Sequence, residues 1–335
     1  MTALTTVDYH TGGEPFRIVA GGVPGLEGRT VPDRRRWAAA NLDLVRRLLV
    51  YEPRGHADMY GCFVTPADDA DGDLGVVFFH NEGFSTACGH GTIALVTWAI
   101  DSGRIPVEPG ARSVAVTVDV PSGRLACTAR LAADGRVEAV RFRNVPSYVL
   151  ARDVPIETSR GRLKLDIAFG GAFYGSLDVR RLGLAVEPAA LPELIALQRE
   201  LRPALERAAD VVHPGQPDLA GIYGVIFWEP TDDGALTQRN VTVFADGEVD
   251  RSPCGSGTSA RLAILHDRGE IRVGETLHHR SIVDSAFAAR VVGEGPAVGQ
   301  HRSVVTEVEG SAFRTGEHTF TLDPRDPLGT GFLLR

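Results

Sequence analysis

The chain has 335 residues, 43% of them hydrophobic and 23% charged, with a formal net charge of −8. That length admits two domains of about 100–200 residues each, with cores that need no disulfide staples. The acidic balance disfavours a phosphate backbone or an anionic membrane as partner, and no stretch nears the roughly 20 apolar residues of a membrane span. The start, Met1 to Thr5, lacks the basic residues and apolar run of a signal peptide, so the cytoplasm is the expected compartment. In chain order, Asp33–Val50 places Leu, Val and Trp on one stripe and predicts a helix. A strand at Leu74–His80 and a helix at Gly91–Ser102 follow, then strands at Ser113–Val120 and Arg136–Asn144. A helix at Pro192–Asp210 precedes strands at Ala220–Trp228 and Asn240–Ala245, and Ser256–Asp267 is the last helix. With 38 Gly and 20 Pro to supply turns, the expectation is a β-rich α/β protein.

Two of the four helices begin just after a cysteine. Ser85-Thr86-Ala87-Cys88-Gly89-His90-Gly91-Thr92 leads into an apolar run to Ile100, and Asp250-Arg251-Ser252-Pro253-Cys254-Gly255-Ser256-Gly257 leads into Ala260 to Leu265. Helices apolar nearly all round are buried all round. The two cysteines stand 166 positions apart, about half the chain. The expectation is two related α/β halves, each a mixed sheet wrapped around a central helix. Residues 1–165 would carry Cys88 and residues 166–312 would carry Cys254, with a boundary near Leu163–Phe169 and closing strands 313–335 returning to the first half.

A cysteine at a helix N-terminus has a use. Unpaired N–H groups and the helix dipole stabilise a thiolate, bringing a thiol of pKa about 8.5 into range as a base. The same N–H groups bind anions, and a neighbouring glycine lets a carboxylate approach the backbone. Two such loops gripping one carboxylate would leave its α-carbon between two sulfurs. One thiolate would remove the α-proton and the opposite thiol would deliver another, with no cofactor or metal. The developing enediolate needs donors aimed at the carboxylate in a site closed to water. One sulfur should rest protonated and the other not, titrating as a pair. His90 is placed to tune that thiol or the carboxylate, and Asp250 to accept from a substrate ammonium. Cys62 and Cys127, in strand-like surroundings, read as small hydrophobes.

These motifs resemble the proline racemase family. Further similarity covers His10-Thr11-Gly12-Gly13-Glu14-Pro15, Glu52-Pro53-Arg54-Gly55-His56, His80-Asn81-Glu82-Gly83 and Phe169-Gly170-Gly171, so it spans most of the chain. The resemblance implies a diaminopimelate epimerase-like fold with the site in the cleft, commonly a homodimer, acting on proline or a hydroxyproline. It implies Cys88 and Cys254 as the acid/base pair, Gly89-His90 and Gly255-Ser256 as carboxylate loops, Asp250 at the substrate nitrogen and Phe244 lining the pocket. Three activities share the family: proline racemase, 4-hydroxyproline 2-epimerase and trans-3-hydroxy-L-proline dehydratase. Dehydratases of the family place Thr at the second cysteine, so Cys254 favours 4-hydroxyproline epimerisation, which is the first expectation. The segments Glu52–Gly61 and His80–Thr86 read like the dehydratase branch, and Tyr223-Gly224 lacks the nearby His of hydroxyproline epimerases, His213 being nearest. A dehydratase, a bifunctional enzyme or a proline racemase therefore follow.

Other classes fit less of the sequence. A thiol hydrolase built on Cys88 and His90 leaves the second Cys-Gly-helix unexplained. Zinc held by Cys88, His90 and Cys254 would have suitable donors, but no Cys-x-x-Cys or His-x-x-x-His spacing accompanies them. A non-catalytic imino-acid-binding protein would show no proton exchange at the α-carbon.

Overall fold

The computed structural model describes residues 3–231 and 236–334. Met1 and Thr2 of the N-terminal run, and Arg335 of the closing segment 313–335, lie outside the described residues. The chain divides into two compact units, Met1–Phe142 with Ser311–Arg335, and Arg143–Gly310.

The elements run β1 (Leu4–Thr11), β2 (Glu14–Gly21), α1 (Val31–Asn41), α2 (Asp43–Val50), β3 (Tyr60–Thr65), β4 (Leu74–His80), α3 (Gly89–Asp101), β5 (Ser113–Val120), β6 (Gly123–Leu131) and β7 (Val137–Arg143). There follow β8 (Ser147–Thr158), β9 (Gly161–Phe169), β10 (Phe173–Asp178), α4 (Leu191–Ala208), β11 (Val212–His213), β12 (Gln216–Ala220), β13 (Ile222–Pro230), β14 (Thr237–Phe244) and β15 (Glu248–Asp250). The last are α5 (Gly255–Asp267), β16 (Thr276–Ser281), β17 (Ala286–Glu294), β18 (Ser303–Gly310) and β19 (Ala312–Phe320).

In the first unit the strands pair in the order β19, β1, β2, β3, β4, β5, β6. Along that order the relations are antiparallel, antiparallel, parallel, antiparallel, parallel, antiparallel. In the second unit β8, β9, β10, β13, β14, β16 and β17 pair with the same succession of relations. β17 continues to β18, which pairs back on β8 at Tyr148 and Ser147 and closes the sheet. The helices repeat as well. The central helix α3 joins β4 to β5, and α5 enters between β15 and β16; α1 and α2 occupy the crossover that α4 fills in the second unit. The halves are therefore topological copies, each a mixed sheet wrapped on one helix.

Burial follows from the apolar patterning. Every residue of α3 from Gly89 to Ile100, and of α5 from Gly255 to Leu265, is buried. α3 packs on β1, β2, β3, β6 and β19, and α5 on β8, β9, β10, β17 and β18.

Three expectations change. The boundary falls at Phe142/Arg143 rather than at 165/166, because β8 pairs along β9 and β9 pairs with β10, so Leu163–Phe169 lies inside the second sheet. At the other end the second unit stops at Gly310 instead of residue 312, since β19 begins at Ala312 and pairs with β1. The helix expected over Asp33–Val50 is two helices. α1 opens on a capping box between Thr30 and Asp33 and ends where Leu42, at φ −118° and ψ 13°, leaves helical geometry. The Asn41 amide donates back to Trp37 O at 2.8 Å, and Leu42 turns into the core.

Candidate functional site

In the first unit, the chain leaves β4, crosses Thr86, whose carbonyl accepts from Ser122 N–H, and reaches Cys88 as the N-cap of α3. Cys88 has extended backbone, φ −154° and ψ 97°, so its sulfur folds over the helix start and accepts from Gly91 N–H at 3.3 Å. Gly91 is required for that position. A Cβ there would stand 2.6 Å from the Cys88 sulfur and 2.4 Å from the ring of Phe16. His90 places Nε2 at 3.4 Å and Nδ1 at 3.7 Å from the same sulfur. Its ring meets Tyr60 and Phe16 edge to face, at 5.0 and 5.7 Å between centroids. Burial pushes the imidazole down to about 3, so His90 is neutral near pH 7. Thr11 Oγ1 fixes the loop by donating to His90 O at 2.9 Å, and the Tyr60 hydroxyl donates to Ser85 Oγ.

In the second unit, β14 and β15 form a short hairpin whose last residue is Asp250, and Cys254 is the N-cap of α5. Here the backbone differs: Cys254 has φ 63° and ψ 100°, a strained region for a non-glycine residue. The neighbouring turn over-determines it. Asp250 accepts from Ser252 N–H at 2.8 Å and Ser252 Oγ at 2.7 Å, and Ser252 Oγ in turn accepts from Cys254 N–H at 3.1 Å. Gly257 repeats the role of Gly91, since a Cβ at that position would lie 2.9 Å from the Cys254 sulfur. Tyr174, on β10, brings its hydroxyl to 3.8 Å from the sulfur and 2.7 Å from Ser256 Oγ.

The electrostatics of this station oppose ionisation of the sulfur. Burial, with the Asp250 charge added, pushes the Cys254 thiol up to about 12, against the weaker pull of the Gly257 amide and the Thr242 and Tyr174 hydroxyls. Burial likewise raises the Asp250 carboxyl to about 6, despite donation from Ser252. Replacing Asp250 by Asn removes the adjoining negative charge. At pH 8 the variant's Cys254 should react with iodoacetamide about tenfold faster than wild type, as mass spectrometry of the labelled peptide would measure. An unchanged rate would mean that the charge of Asp250 does not reach the sulfur.

The structure thus assembles Cys88, Gly89 and His90 within one unit, and Asp250, Cys254, Gly255 and Ser256 within the other. Phe244, buried at the end of β14, stacks on Tyr223 at 5.3 Å, and Tyr223 meets Tyr174 edge to face at 5.7 Å. His213 packs against Phe169 and Tyr148, at 4.9 and 5.9 Å. Cys62 and Cys127 are buried in β3 and β6, and burial raises both thiols. Sequence reasoning missed Tyr174, Ser252, and the second glycine of each loop as a seat for sulfur. The glycines are visible in the repeated Cys-Gly-x-Gly pattern and Ser252 in the Asp-x-Ser spacing just before the second of them; Tyr174 has no local signal beyond following Phe169-Gly170-Gly171. Among the described residues no three His, Cys, Asp or Glu side chains gather as metal ligands, and no helix is long and apolar enough to cross a membrane.

Known proteins resemble this chain over nearly their whole lengths. The chain is 45% identical over 330 residues to a trans-3-hydroxy-L-proline dehydratase of Bacillus cereus, covering 98% of each chain. It is 45% identical over 335 residues to a 3-hydroxyproline 2-epimerase of Burkholderia multivorans, covering 99% of this chain and 98% of that one. The crystal structure of a hydroxyproline epimerase from Agrobacterium vitis with bound trans-4-hydroxy-L-proline superposes with a TM-score of 0.92 at 34% identity, covering 100% of this chain and 97% of that one. The profile of the proline racemase family matches residues 6–333, and the chain belongs to that family.

Proposed function

We propose that the protein is a cofactor-independent hydroxyproline 2-epimerase in which Cys88 and Cys254 exchange protons with the two faces of the α-carbon. The observation that carries this reading is the paired construction: each central helix begins at a cysteine whose sulfur is seated by the second glycine of Cys-Gly-x-Gly. The two seats differ in a useful way. Both sulfurs meet the amide of the loop's second glycine, which suits a thiolate at Cys88, whereas the Asp250 charge beside Cys254 opposes ionisation there and holds that sulfur as a thiol. A resting pair of one thiolate and one thiol is what inversion by two bases requires.

In the forward step Cys88 takes the α-proton, the carboxylate becomes an enediolate, and Cys254 delivers its proton to the opposite face. The buried N–H groups of Gly89, His90, Gly255 and Ser256 would hold the carboxylate where charge develops. Asp250 accepts from the substrate ammonium, whose positive charge draws the carboxyl back below its raised value.

A thiol pair serves a ring hydroxyl at C4, as first expected, or at C3 equally well. The relatives named for 3-hydroxyproline are 45% identical, against 34% for the structure holding trans-4-hydroxy-L-proline, which supports C3. A C3 hydroxyl also opens a second reaction, and the dehydratase name of one relative favours it. The electron pair left at C2 can form a C2=C3 double bond as the C3–O bond breaks. The hydroxyl leaves as water after taking a proton, and the resulting enamine tautomerises to the cyclic imine.

The test is incubation in D2O with trans-3-hydroxy-L-proline, trans-4-hydroxy-L-proline and L-proline separately, following the α-proton by NMR. Deuterium at Cα with inversion is expected, fastest with the 3-hydroxy compound. Preference for the 4-hydroxy compound would restore C4, and cyclic imine as the sole product would replace epimerisation by dehydration.

A further inference from the structure

Each unit was built by the same plan, and the sulfur of the second has a phenol for a partner. Tyr174 projects from β10 into the core cluster that contains Cys254, Ile226, Ala260 and Ile264, and it is 1% exposed. Its ring is held edge to face by Tyr223, which is stacked on Phe244. The ring therefore has little room to move. Its hydroxyl stands between two groups, Ser256 Oγ at 2.7 Å and Cys254 Sγ at 3.8 Å.

We propose that Tyr174 is a positioning residue whose hydroxyl reverses its direction with the protonation state of Cys254, accepting from the thiol and donating to the thiolate. The inference rests on the two-sulfur reading above and names how its second sulfur becomes an anion. In the resting state the S–H proton points to the phenol oxygen, and the phenol donates to Ser256. When Cys254 gives its proton to the α-carbon, the S–H bonding pair stays on sulfur. Rotation about the Tyr174 C–O bond then turns the O–H from Ser256 to the thiolate. The proton stays on the tyrosine oxygen throughout, so Tyr174 supplies a hydrogen bond and no proton. Ser256, released as acceptor, keeps its own O–H for the carboxylate or for the phenol oxygen.

This device answers a specific difficulty. The groups acting on Cys254 are Asp250, whose own charge is tempered by Arg251, the Gly257 amide, the Thr242 hydroxyl and the Tyr174 phenol. Asp250 opposes a thiolate, so the donors come from the helix start and from two strands, Thr242 on β14 and Tyr174 on β10. A rotor favours whichever protonation state is present, whereas a fixed donor would favour only the thiolate and hinder the resting thiol.

The experiment follows the rate of alkylation of Cys254 with iodoacetamide between pH 6 and 10, below its raised midpoint, in a Cys88→Ser background with the label located by mass spectrometry. Tyr174→Phe should slow alkylation of Cys254 about tenfold at fixed pH, equivalent to a midpoint raised by about one unit, the size of one hydrogen bond to a charged group. Ser256→Ala, which removes the competing acceptor, should move the rate the opposite way and serves if the phenylalanine variant does not fold. With Cys88 intact, Tyr174→Phe should lower kcat with KM little changed and shift the basic limb of the pH profile upward. A folded Tyr174→Phe protein whose Cys254 alkylates as in the parent overturns the proposal, as does an unchanged rate in Ser256→Ala. Because the titration needs no substrate, failure of the epimerase reading leaves this result standing on its own.

Discussion

Replacing either Cys88 or Cys254 by serine is expected to reduce 2-epimerisation about 10³-fold or more, at the upper end of what one positioned acid or base contributes. Serine keeps the size of the side chain and its place at the helix start. Its hydroxyl is a far weaker acid than a thiol, so it neither rests ionised at position 88 nor donates readily from position 254. Inversion needs both faces served, so the two variants should fail alike. They should differ in two other readouts. In D2O, the variant that retains the sulfur facing the α-proton can still remove it and return deuterium to the same face, giving exchange without inversion. Elimination from trans-3-hydroxy-L-proline also needs only the base that faces the α-proton, so any cyclic imine should persist in one variant and vanish in the other. Each protein is checked by its melting temperature, which should stay close to wild type. Full epimerisation by either variant would remove that sulfur from the mechanism.

Much of the site is legible in the sequence because it is local. Cysteine, glycine and the start of an apolar run occupy consecutive positions, so the helix N-terminus that positions Cys88 and Cys254 is encoded within about ten residues of each. The halves are legible for the same reason, since the motif occurs twice. What cannot be read locally is anything brought by a distant strand. Tyr174 reaches Cys254 from 80 positions earlier, and the ring of Phe16 packs on Gly91 from 75 positions away. The misplaced boundary has a related cause. Phe169-Gly170-Gly171 looks like an opening turn, and it is one, but it joins two strands of a sheet that β8 had already begun. Pairing between strands decides the unit to which a segment belongs, and pairing leaves no mark on either strand alone.

The glycines inside the loops make the strongest demand on close packing, and Gly91→Ala should show it. Its new Cβ would lie 2.4 Å from a Phe16 ring carbon and 2.6 Å from the Cys88 sulfur. Phe16 is fully buried, with Tyr60, Phe78 and His90 around its ring. The ring cannot retreat without disturbing them, so the sulfur must move instead, and its hydrogen bond from Gly91 N–H is lost. Overpacking of this kind costs about 1–3 kcal/mol, and each kcal/mol lowers the melting temperature of a domain this size by about 2–4 °C. A fall of about 2–12 °C in melting temperature is expected on that basis. The effect on turnover should be larger than stability alone would give, about 10²-fold in kcat, because displacing a reacting group by about 1 Å has consequences of that order. Gly25→Ala is the control: no atom lies within 4 Å of a Cβ at that position, and both melting temperature and turnover should match wild type. Gly257→Ala should be milder than Gly91→Ala, since its shortest contact is 2.9 Å, to the Cys254 sulfur itself, and the nearest side chain besides cysteine is Ile226 at 3.4 Å. That ordering, Gly91→Ala worse than Gly257→Ala and Gly25→Ala neutral, separates a seat for sulfur from a general intolerance of glycine substitution. If Gly91→Ala turned over normally, the sulfur of Cys88 would not depend on the helix amide, and the account of it as the resting thiolate would lose its support.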